Sequence, residues 1–252
     1  MNRWVFSILG VGMGIGVVCA PGAEAHLRDY IFNQQYYTAK PGELEVELYN
    51  DADFVDTDNS DTFKSVHQIE LEYGLTNHWQ ITAYEVLKWE WDASEFKHDE
   101  WKLETKYRFA EAGQWPVDTA LYLEYAGVNG HHEQHSDELE GKLILSRDFG
   151  PWNLIGNLIT EKALNKSKAW EFAYTVGTSY AILPTARLGL ELKETLGDGD
   201  EFGLRRTDHK LQLVPGLYMS LTKHLRLLVG AAFGLTKASD DLQLRSIVEW
   251  EF

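Results

Sequence analysis

The last eleven residues of the chain, 242–252, alternate between apolar and polar side chains, with one reversal at Ser246 and Ile247. Side chains of a β-strand point to opposite faces in turn, so this stretch predicts a strand with one apolar and one charged face. A helix is excluded, because its apolar residues would recur every three or four positions. The apolar face must be covered, either by the core of a soluble β-sandwich or by lipid.

The same alternation recurs along the chain and predicts twelve strands. The connections between these strands alternate in length. Short turns lie around residues 76, 113, 150, 183 and 222, and longer polar loops begin near residues 51, 93, 128, 165, 197 and 237. With an even number of strands, both chain ends lie on one side of the sheet, together with every short turn. This arrangement is typical of outer-membrane β-barrels, which have short periplasmic turns and longer extracellular loops.

Tryptophans are concentrated at the ends of the predicted strands. Those close to the short turns are Trp79, Trp115, Trp152 and Trp250, and those close to the long loops are Trp89, Trp91, Trp101 and Trp170. Indole rings prefer the two membrane–water interfaces, so two belts indicate a membrane barrel. A β-sandwich accounts for the alternation but for neither the belts nor the loop lengths. The predicted fold class is therefore all-β: a closed antiparallel transmembrane β-barrel of twelve strands, spanning residues 43–252, in the bacterial outer membrane.

Two places depart from the alternation. Pro215 lies inside the tenth predicted strand, where a proline removes a ladder hydrogen bond, so we expect a bulge or a bend there. Glu85 lies on the apolar face of the third predicted strand, so we expect a register shift near Tyr84.

Residues 1–25 have the features of a secretory signal peptide. Arg3 supplies a positive charge, residues 4–18 form an apolar core too short for a transmembrane helix, and residues 23–25 fit a cleavage site. The only cysteine, Cys19, lies in this peptide, so no disulfide is expected in the mature chain. We interpret residues 26–42 as a periplasmic lead-in that can tuck into the barrel mouth.

The charged face of the strands points into the lumen of such a barrel. The net charge of −16 argues against nucleic acid as a partner. Charges in a lumen must be paired or hydrated, so they form either a path for small solutes or a network that only keeps the lumen solvated. The candidate lumen and transport residues are Glu45, Glu47, Glu70, Glu72, Lys102, Glu104, Lys106, Arg108, Glu124, Lys142, Arg187, Glu191, Arg226, Arg245 and Glu249. Because the first and last strands pair in a closed barrel, we expect Arg245 to pair with an acid on the first strand. No cofactor is expected.

Two loops contain residue types that bind metal ions. The loop with His131, His132 and His135 could hold Zn or Cu, although its spacing matches no rigid metal motif. Residues 51–61 contain five aspartates, and we interpret them as an acidic, solvated loop.

Enzymatic activity is not predicted. An outer-membrane phospholipase is also a twelve-stranded barrel, and it needs a serine activated by a histidine. His67 follows Ser65 near a loop, but we expect no supporting Asn at that level.

Two stretches resemble known outer-membrane proteins. The C-terminal strand, with Trp250 and Phe252, resembles the closing strand that the barrel-assembly machinery reads. Residues 70–80 resemble a repeated hairpin of transporter and channel proteins associated with phenol and hydrocarbon degradation, and residues 116–125 have the same style. This resemblance implies transport of a small solute, with membrane lipid and lipopolysaccharide around the barrel. It carries over no ligand residues. The alternative function is a closed structural or docking barrel whose loops or periplasmic face bind a partner.

Overall fold

The computed structural model describes residues 29–90, 95–128, 136–164, 169–198 and 209–252. Its strands are β1 Leu44–Phe54, β2 Phe63–Thr76, β3 Trp79–Glu90, β4 Glu95–Arg108, β5 Asp118–Val128, β6 Glu138–Phe149, β7 Trp152–Ala163, β8 Glu171–Leu183, β9 Ala186–Asp198, β10 Leu211–Ser220, β11 Leu225–Gly234 and β12 Leu242–Glu251. Each strand pairs antiparallel with the next, and β12 pairs with β1, so the sheet is a closed barrel. The predicted fold class and strand number are confirmed. A single 3-10 turn, Ser60–Thr62, is described, and no described helix is long and apolar enough to cross a bilayer.

The contact between β1 and β12 closes the barrel and fixes the two faces of the wall. Val46 lies across from Trp250 on the outside, and Glu47 lies across from Glu249 on the inside. Trp250 is 44% exposed and Glu249 only 2%, so the predicted faces of the C-terminal strand are confirmed. The backbone N–H of Phe252 donates to the carbonyl of Leu44 at 2.9 Å, so pairing continues to the last residue.

Ser246 and Ile247 keep the register of β12 although they reverse the polarity. Ser246 lies across from Asn50, and Ile247 lies across from Tyr49. Ile247 is fully buried and faces the lumen, whereas Ser246 faces outward. The alternation therefore gives the correct direction of every side chain in β12, and the reversal is a change of chemistry at two positions.

The two other departures from the alternation have different outcomes. The pairing of β3 with β4 shifts between Val86 and Leu87, close to the predicted place, and Glu85 stays on the outer face. At Pro215 the register of β10 with β11 is the same before and after the proline, so the predicted bulge is absent. The ladder instead omits Val214 and Pro215, because proline has no N–H to donate toward β11.

The predicted acidic loop begins later than expected. Asp51 and Asp53 lie within β1, and Asp51 is almost fully buried in the lumen. Only Asp56, Asp58 and Asp61 lie beyond that strand, and all three are exposed. The alternation hid this boundary, because the acidic residues on the inner face of β1 continue directly into the loop.

Candidate functional site

The lumen contains a segment of the same chain. We call residues 29–42 the N-terminal segment. The segment residues Tyr30, Ile31, Asn33 and Tyr36 are at most 2% exposed. The lead-in therefore lies inside the barrel and is in contact with the inner wall.

The N-terminal segment rises from the short-turn end of the barrel to its middle and returns. At one end, Asp29 pairs with Arg187 close to the start of β9, at 2.9 Å. Burial raises the pKa of Asp29 to about 6, although Arg187 opposes the increase. At the other end, the hydroxyl of Thr38 donates to the carbonyl of Asn77 at 3.0 Å, in the turn before β3. The apex between these ends is formed by residues 31–34.

A buried carboxylate on β9 holds the apex. Glu191 accepts hydrogen bonds from three consecutive backbone N–H groups, those of Ile31 at 2.6 Å, Phe32 at 3.0 Å and Asn33 at 2.8 Å. The hydroxyl of Tyr218 also donates to it, at 3.2 Å. Hydrogen bonds to a carboxylate are strong, and these replace the hydration that Glu191 has lost at 1% exposure. The carboxylate thus fixes the apex backbone in one position.

A second polar contact fixes the residue after the apex. The side chain of Asn157 on β7 accepts from the backbone N–H of Gln34 at 2.6 Å and donates to the carbonyl of the same residue at 3.0 Å. This reciprocal pair satisfies both backbone groups of Gln34. The segment is therefore bonded to two strands of the wall, β7 and β9, which are separated by β8.

Apolar patches of the inner wall receive the segment. Ile31 packs in a cluster with Tyr49, Val214, Tyr218, Leu228, Ala232 and Ile247. Tyr30 and Tyr36 pack in a second cluster with Ala120, Tyr122, Ile144 and Ile155. Sequence reasoning missed this role of the segment. The available signal was the set of apolar residues on the otherwise charged inner face, including Ile247.

A cavity of about 270 Å³ lies on the loop side of the apex. Phe32 belongs to its lining, and the Lys193 ammonium lies 4.7 Å and the Arg245 guanidinium carbon 4.4 Å from the centre of its ring. The charged residues that line the cavity are Lys102, Lys142, Lys193, Arg245, Glu100, Glu124, Glu138, Glu140 and Glu161. Several are paired, with 3.2 Å between Lys102 and Glu124 and 2.7 Å between Lys142 and Glu140. The cavity is thus lined by charges of both signs.

A smaller pocket of about 30 Å³ lies against the segment beside β1 and is mainly acidic. It is lined by segment residues together with Glu45, Glu47, Glu72, Glu249 and Lys106. Arg226 pairs with Glu249 at 2.8 Å, and the hydroxyl of Tyr49 lies 2.5 Å from Glu47 and 2.6 Å from Glu70. Like charges directly across a sheet are destabilising, so this concentration of carboxylates lowers the stability of the folded barrel.

The candidate residues fall into groups that the sequence alone does not separate. Lys102, Glu124, Lys142 and Arg245 line the larger cavity, and Glu45, Glu47, Glu72, Lys106 and Glu249 line the smaller pocket. Arg187 and Glu191 hold the segment, whereas Arg108 pairs with Glu111 at 2.9 Å near a short turn. Glu70 and Glu104 bond to the tyrosines Tyr49 and Tyr84. Arg245 binds Asp51 through two contacts of 2.6 Å, so its partner is an acid on the first strand, as expected.

The chain was compared with known proteins. No family model and no curated protein matches it. Among solved structures, it is similar to the COG4313 outer membrane channel from Pseudomonas putida F1, with a TM-score of 0.65 and 12% identity over 88% of this chain and all of that chain. It is also similar to the NanC porin, with a TM-score of 0.56, and to the KdgM porin, with 0.55; each is 11% identical over 82% of this chain and nearly all of the other. The chain has the fold of outer-membrane channels and porins.

The exterior of the barrel agrees with a place in the outer membrane. Large apolar side chains are exposed around the wall, among them Leu71, Leu103, Leu158 and Leu188. Trp79, Trp115, Trp152 and Trp250 are exposed at the short-turn side, and Trp101 and Trp170 are exposed near the loop side. Such a surface is stable only when lipid covers it.

The predicted metal site in the outer loop lies outside the described residues, because residues 129–135 are not among them. In the part of the chain that is described, no group of three or more histidine, cysteine, aspartate or glutamate side chains could hold a metal ion.

One expectation about the outer surface is wrong. An asparagine does lie at the level of Ser65 and His67, because the register of β1 with β2 places Asn50 directly across from His67. Asn50 lies fifteen positions before Ser65 and seventeen before His67, and the intervening loop conceals the pairing in the sequence.

Proposed function

We propose that the protein is an outer-membrane channel that passes small charged solutes and favours cations. The observation that carries this proposal is the cavity of about 270 Å³ in the barrel lumen, lined by charged side chains on β4, β5, β6, β7, β9 and β12. The fold shared with channels and porins supports it. The resemblance to transporters associated with phenol degradation suggests aromatic compounds as further solutes to test.

The balance of charge supports a preference for cations. Five carboxylates and four basic side chains line the larger cavity, and four carboxylates and one lysine line the smaller pocket, among the residues that the structure describes. A lumen with an excess of one charge concentrates counter-ions and excludes ions of the same sign. Cations therefore meet the lower barrier.

The N-terminal segment sets the width of the path. It is bonded to β7 and β9 on one side, and the Arg245 guanidinium on β12 donates to the carbonyl of Ile31 at 3.3 Å, so a solute that leaves the larger cavity must pass the residues around Phe32. In this proposal the conductance of the channel is small while the segment is docked, and increases when its contacts are weakened.

Planar-bilayer recording tests the proposal. The refolded protein should give single-channel currents, and a gradient of KCl should give a reversal potential of the sign for cation selectivity. A refolded sample that migrates as a folded barrel, yet gives neither currents nor solute uptake into liposomes, would overturn it.

A closed barrel with a docking role is the second candidate, and the segment inside the lumen favours it. If the barrel is closed, neither the native protein nor a variant that lacks the Glu191 contacts to the segment should give a current. A channel predicts current from the native protein and more from that variant. Recordings from both proteins therefore separate the two functions.

A further inference from the structure

Three polar side chains lie side by side on the outer surface of the barrel. Asn50 is on β1, and Ser65 and His67 are two residues apart on β2, so the last two point to the same side of the wall. Asn50 and His67 are direct neighbours across the two strands. The next outward residues toward the short turns are Leu48 and Ile69, both of which are exposed, so this is the lipid-facing surface.

The imidazole of His67 connects the other two side chains. Its Nδ1 lies 2.9 Å from Oδ1 of Asn50, and its Nε2 lies 2.8 Å from Oγ of Ser65. An amide oxygen can only accept a hydrogen bond, so Nδ1 carries the ring proton. In the neutral imidazole Nε2 is then unprotonated, and the hydroxyl of Ser65 donates to it. This is the order of nucleophile, base and orienting group that defines a serine hydrolase.

Apolar residues lie above and below this cluster along the two strands. Toward the loops, the next outward residues are Phe54 and Phe63, whose ring centres are 5.2 Å apart. The ring of Phe96 lies 5.6 Å from the ring of His67. Ionisable side chains that face a membrane are rare and are usually functional, because the polar group loses its contact with water. A histidine bonded at both nitrogens on this face therefore points to chemistry with lipid.

The height of the cluster suits the linkages of a lipid. Trp89 lies directly across from Ser65 on β3 and is one of the tryptophans on the loop side. Aromatic belts lie at the headgroup level, where the acyl chains of a lipid are joined to glycerol or to a sugar. A lipid in the outer leaflet would bring an ester carbonyl to the height of Ser65.

We propose that Ser65, His67 and Asn50 form a hydrolytic site that cleaves acyl esters of outer-leaflet lipids. Ser65 is the nucleophile, His67 the general base, and Asn50 the positioning residue that holds the imidazole. The site faces away from the lumen and does not depend on the proposed channel.

The reaction follows from the geometry and needs only water as a co-reactant. Oγ of Ser65 bonds to the ester carbonyl carbon while Nε2 of His67 takes the hydroxyl proton. The bond between the carbonyl carbon and the alkoxy oxygen then breaks, and the protonated imidazole gives its proton to the departing alcohol. Water attacks the acyl-serine, again losing a proton to Nε2. A carboxylic acid leaves, and Ser65 recovers its proton.

The test measures release of fatty acid from ester lipids by the refolded full-length protein in mixed micelles. One arm uses a glycerophospholipid and the other uses lipopolysaccharide, which separates the two sources of acyl esters. Ser65→Ala should abolish release, and His67→Ala should lower the rate by about 10²–10⁴-fold, the usual contribution of a general base. Asn50→Ala should lower it less, and Asn50→Asp should restore it, because a carboxylate also accepts from Nδ1–H.

Ser246→Ala is the matched control. Ser246 is an outward serine on the neighbouring strand, directly across from Asn50, and its removal should leave the rate unchanged. An ether-linked lipid of the same chain length should not be cleaved. Channel currents of the Ser65→Ala variant should equal those of the native protein, so a failure of this proposal is separate from a failure of the channel.

Covalent labelling keeps the proposal falsifiable when both lipids are poor substrates. A fluorophosphonate should modify Ser65 in the native protein, as located by mass spectrometry, and should not modify the Ser65→Ala variant. A folded sample with neither release nor labelling would overturn the proposal. Equal release by the native and Ser65→Ala proteins would also overturn it.

Discussion

The inner and the outer face of the barrel wall each contain a region with the polarity expected of the other. On the inner face, Ile31 of the segment packs against Ile247, Leu228 and other apolar residues in a lumen that is otherwise charged. On the outer face, Asn50, Ser65 and His67 form a polar cluster on a wall whose exposed side chains are mostly apolar. The two regions are neighbours, since Tyr49 and Asn50 are consecutive residues that point to opposite sides.

The difference between these regions lies in what covers them. The inner patch is covered by the chain itself, and burial against the segment explains each of its apolar residues. The outer cluster is open, because Asn50 is exposed. A reversal of polarity that is covered indicates a structural contact, whereas one that is open to the surroundings indicates a partner, here the lipid.

Replacing Glu191 with alanine should have the largest effect on the inner region. The change leaves the backbone N–H groups of Ile31, Phe32 and Asn33 without their acceptor. Each unsatisfied group costs about 1–3 kcal/mol, so docking of the segment should weaken by about 3 kcal/mol or more. Single-channel conductance should increase, and the three amides should exchange faster with deuterium.

Glu191→Gln is the control for this prediction. The amide retains one acceptor oxygen, so its conductance should lie between those of the native protein and the alanine variant. Equal conductance in all three proteins would show that the segment does not limit the path.

Removing the apolar contact between the segment and the inner wall should have the next largest effect on docking of the segment. Ile31→Ala should weaken docking by about 2–5 kcal/mol, the usual cost of truncating a buried isoleucine. Ile247→Ala removes the other partner of the same contact. The double variant should therefore lose less docking free energy than the two single variants lose in sum. Amide exchange at residues 31–33 in all four proteins measures the coupling, and strict additivity would contradict the proposed packing.

Making the outer cluster apolar should hardly change stability. In the variant N50V/S65A/H67L, all three partners are replaced together, and no polar group is left unsatisfied. Such a change is nearly neutral or stabilising, so the free energy of unfolding should change by less than about 1 kcal/mol. Urea unfolding in detergent measures it. A loss as large as that of Ile247→Ala would show that the cluster is kept for structure and not for chemistry.

The sequence predicted the wall well, because a strand period of two assigns every side chain to a face. Glu249, Arg245 and Trp250 point as expected, and so does Ile247, once its parity is followed in place of its polarity. The position of the segment was not predictable in this way. Ile31 and Glu191 are 160 residues apart, and they meet only because the barrel is closed.

The outer cluster was missed for a related reason. Parity places Asn50, Ser65 and His67 on one face, but the register of β1 with β2 decides whether they touch. Register depends on the geometry of the connecting loop, which the alternation does not specify. The acidic loop was also predicted to begin at Asp51, whereas β1 continues to Phe54. That prediction placed Asn50 at the edge of the loop and not within a strand.

The smallest effect is predicted for a contact between two outer loops, which belongs to neither of the two regions. The backbone N–H and the hydroxyl of Thr57 donate to Asp241 at 2.8 Å and 2.9 Å, and these bonds lower the pKa of the Asp241 carboxyl. A lowered pKa in the folded state means that the contact stabilises the loops above the pKa of the unfolded chain. That stabilisation is lost as pH falls through the folded pKa.

Thr57→Val should remove one of the two donors and move the pKa of Asp241 back toward its ordinary value, as followed by carboxyl NMR during a pH titration. Thr62→Val is the matched control, because the Thr62 hydroxyl bonds to the carbonyl of Asn59 in the same loop. The control should leave the titration of Asp241 unchanged. Neither variant should alter conductance or lipid hydrolysis, since the loop contact touches neither the segment nor the outer cluster. A change in either activity would mean that the outer loops are coupled to the barrel wall, and the two faces could then no longer be treated as independent.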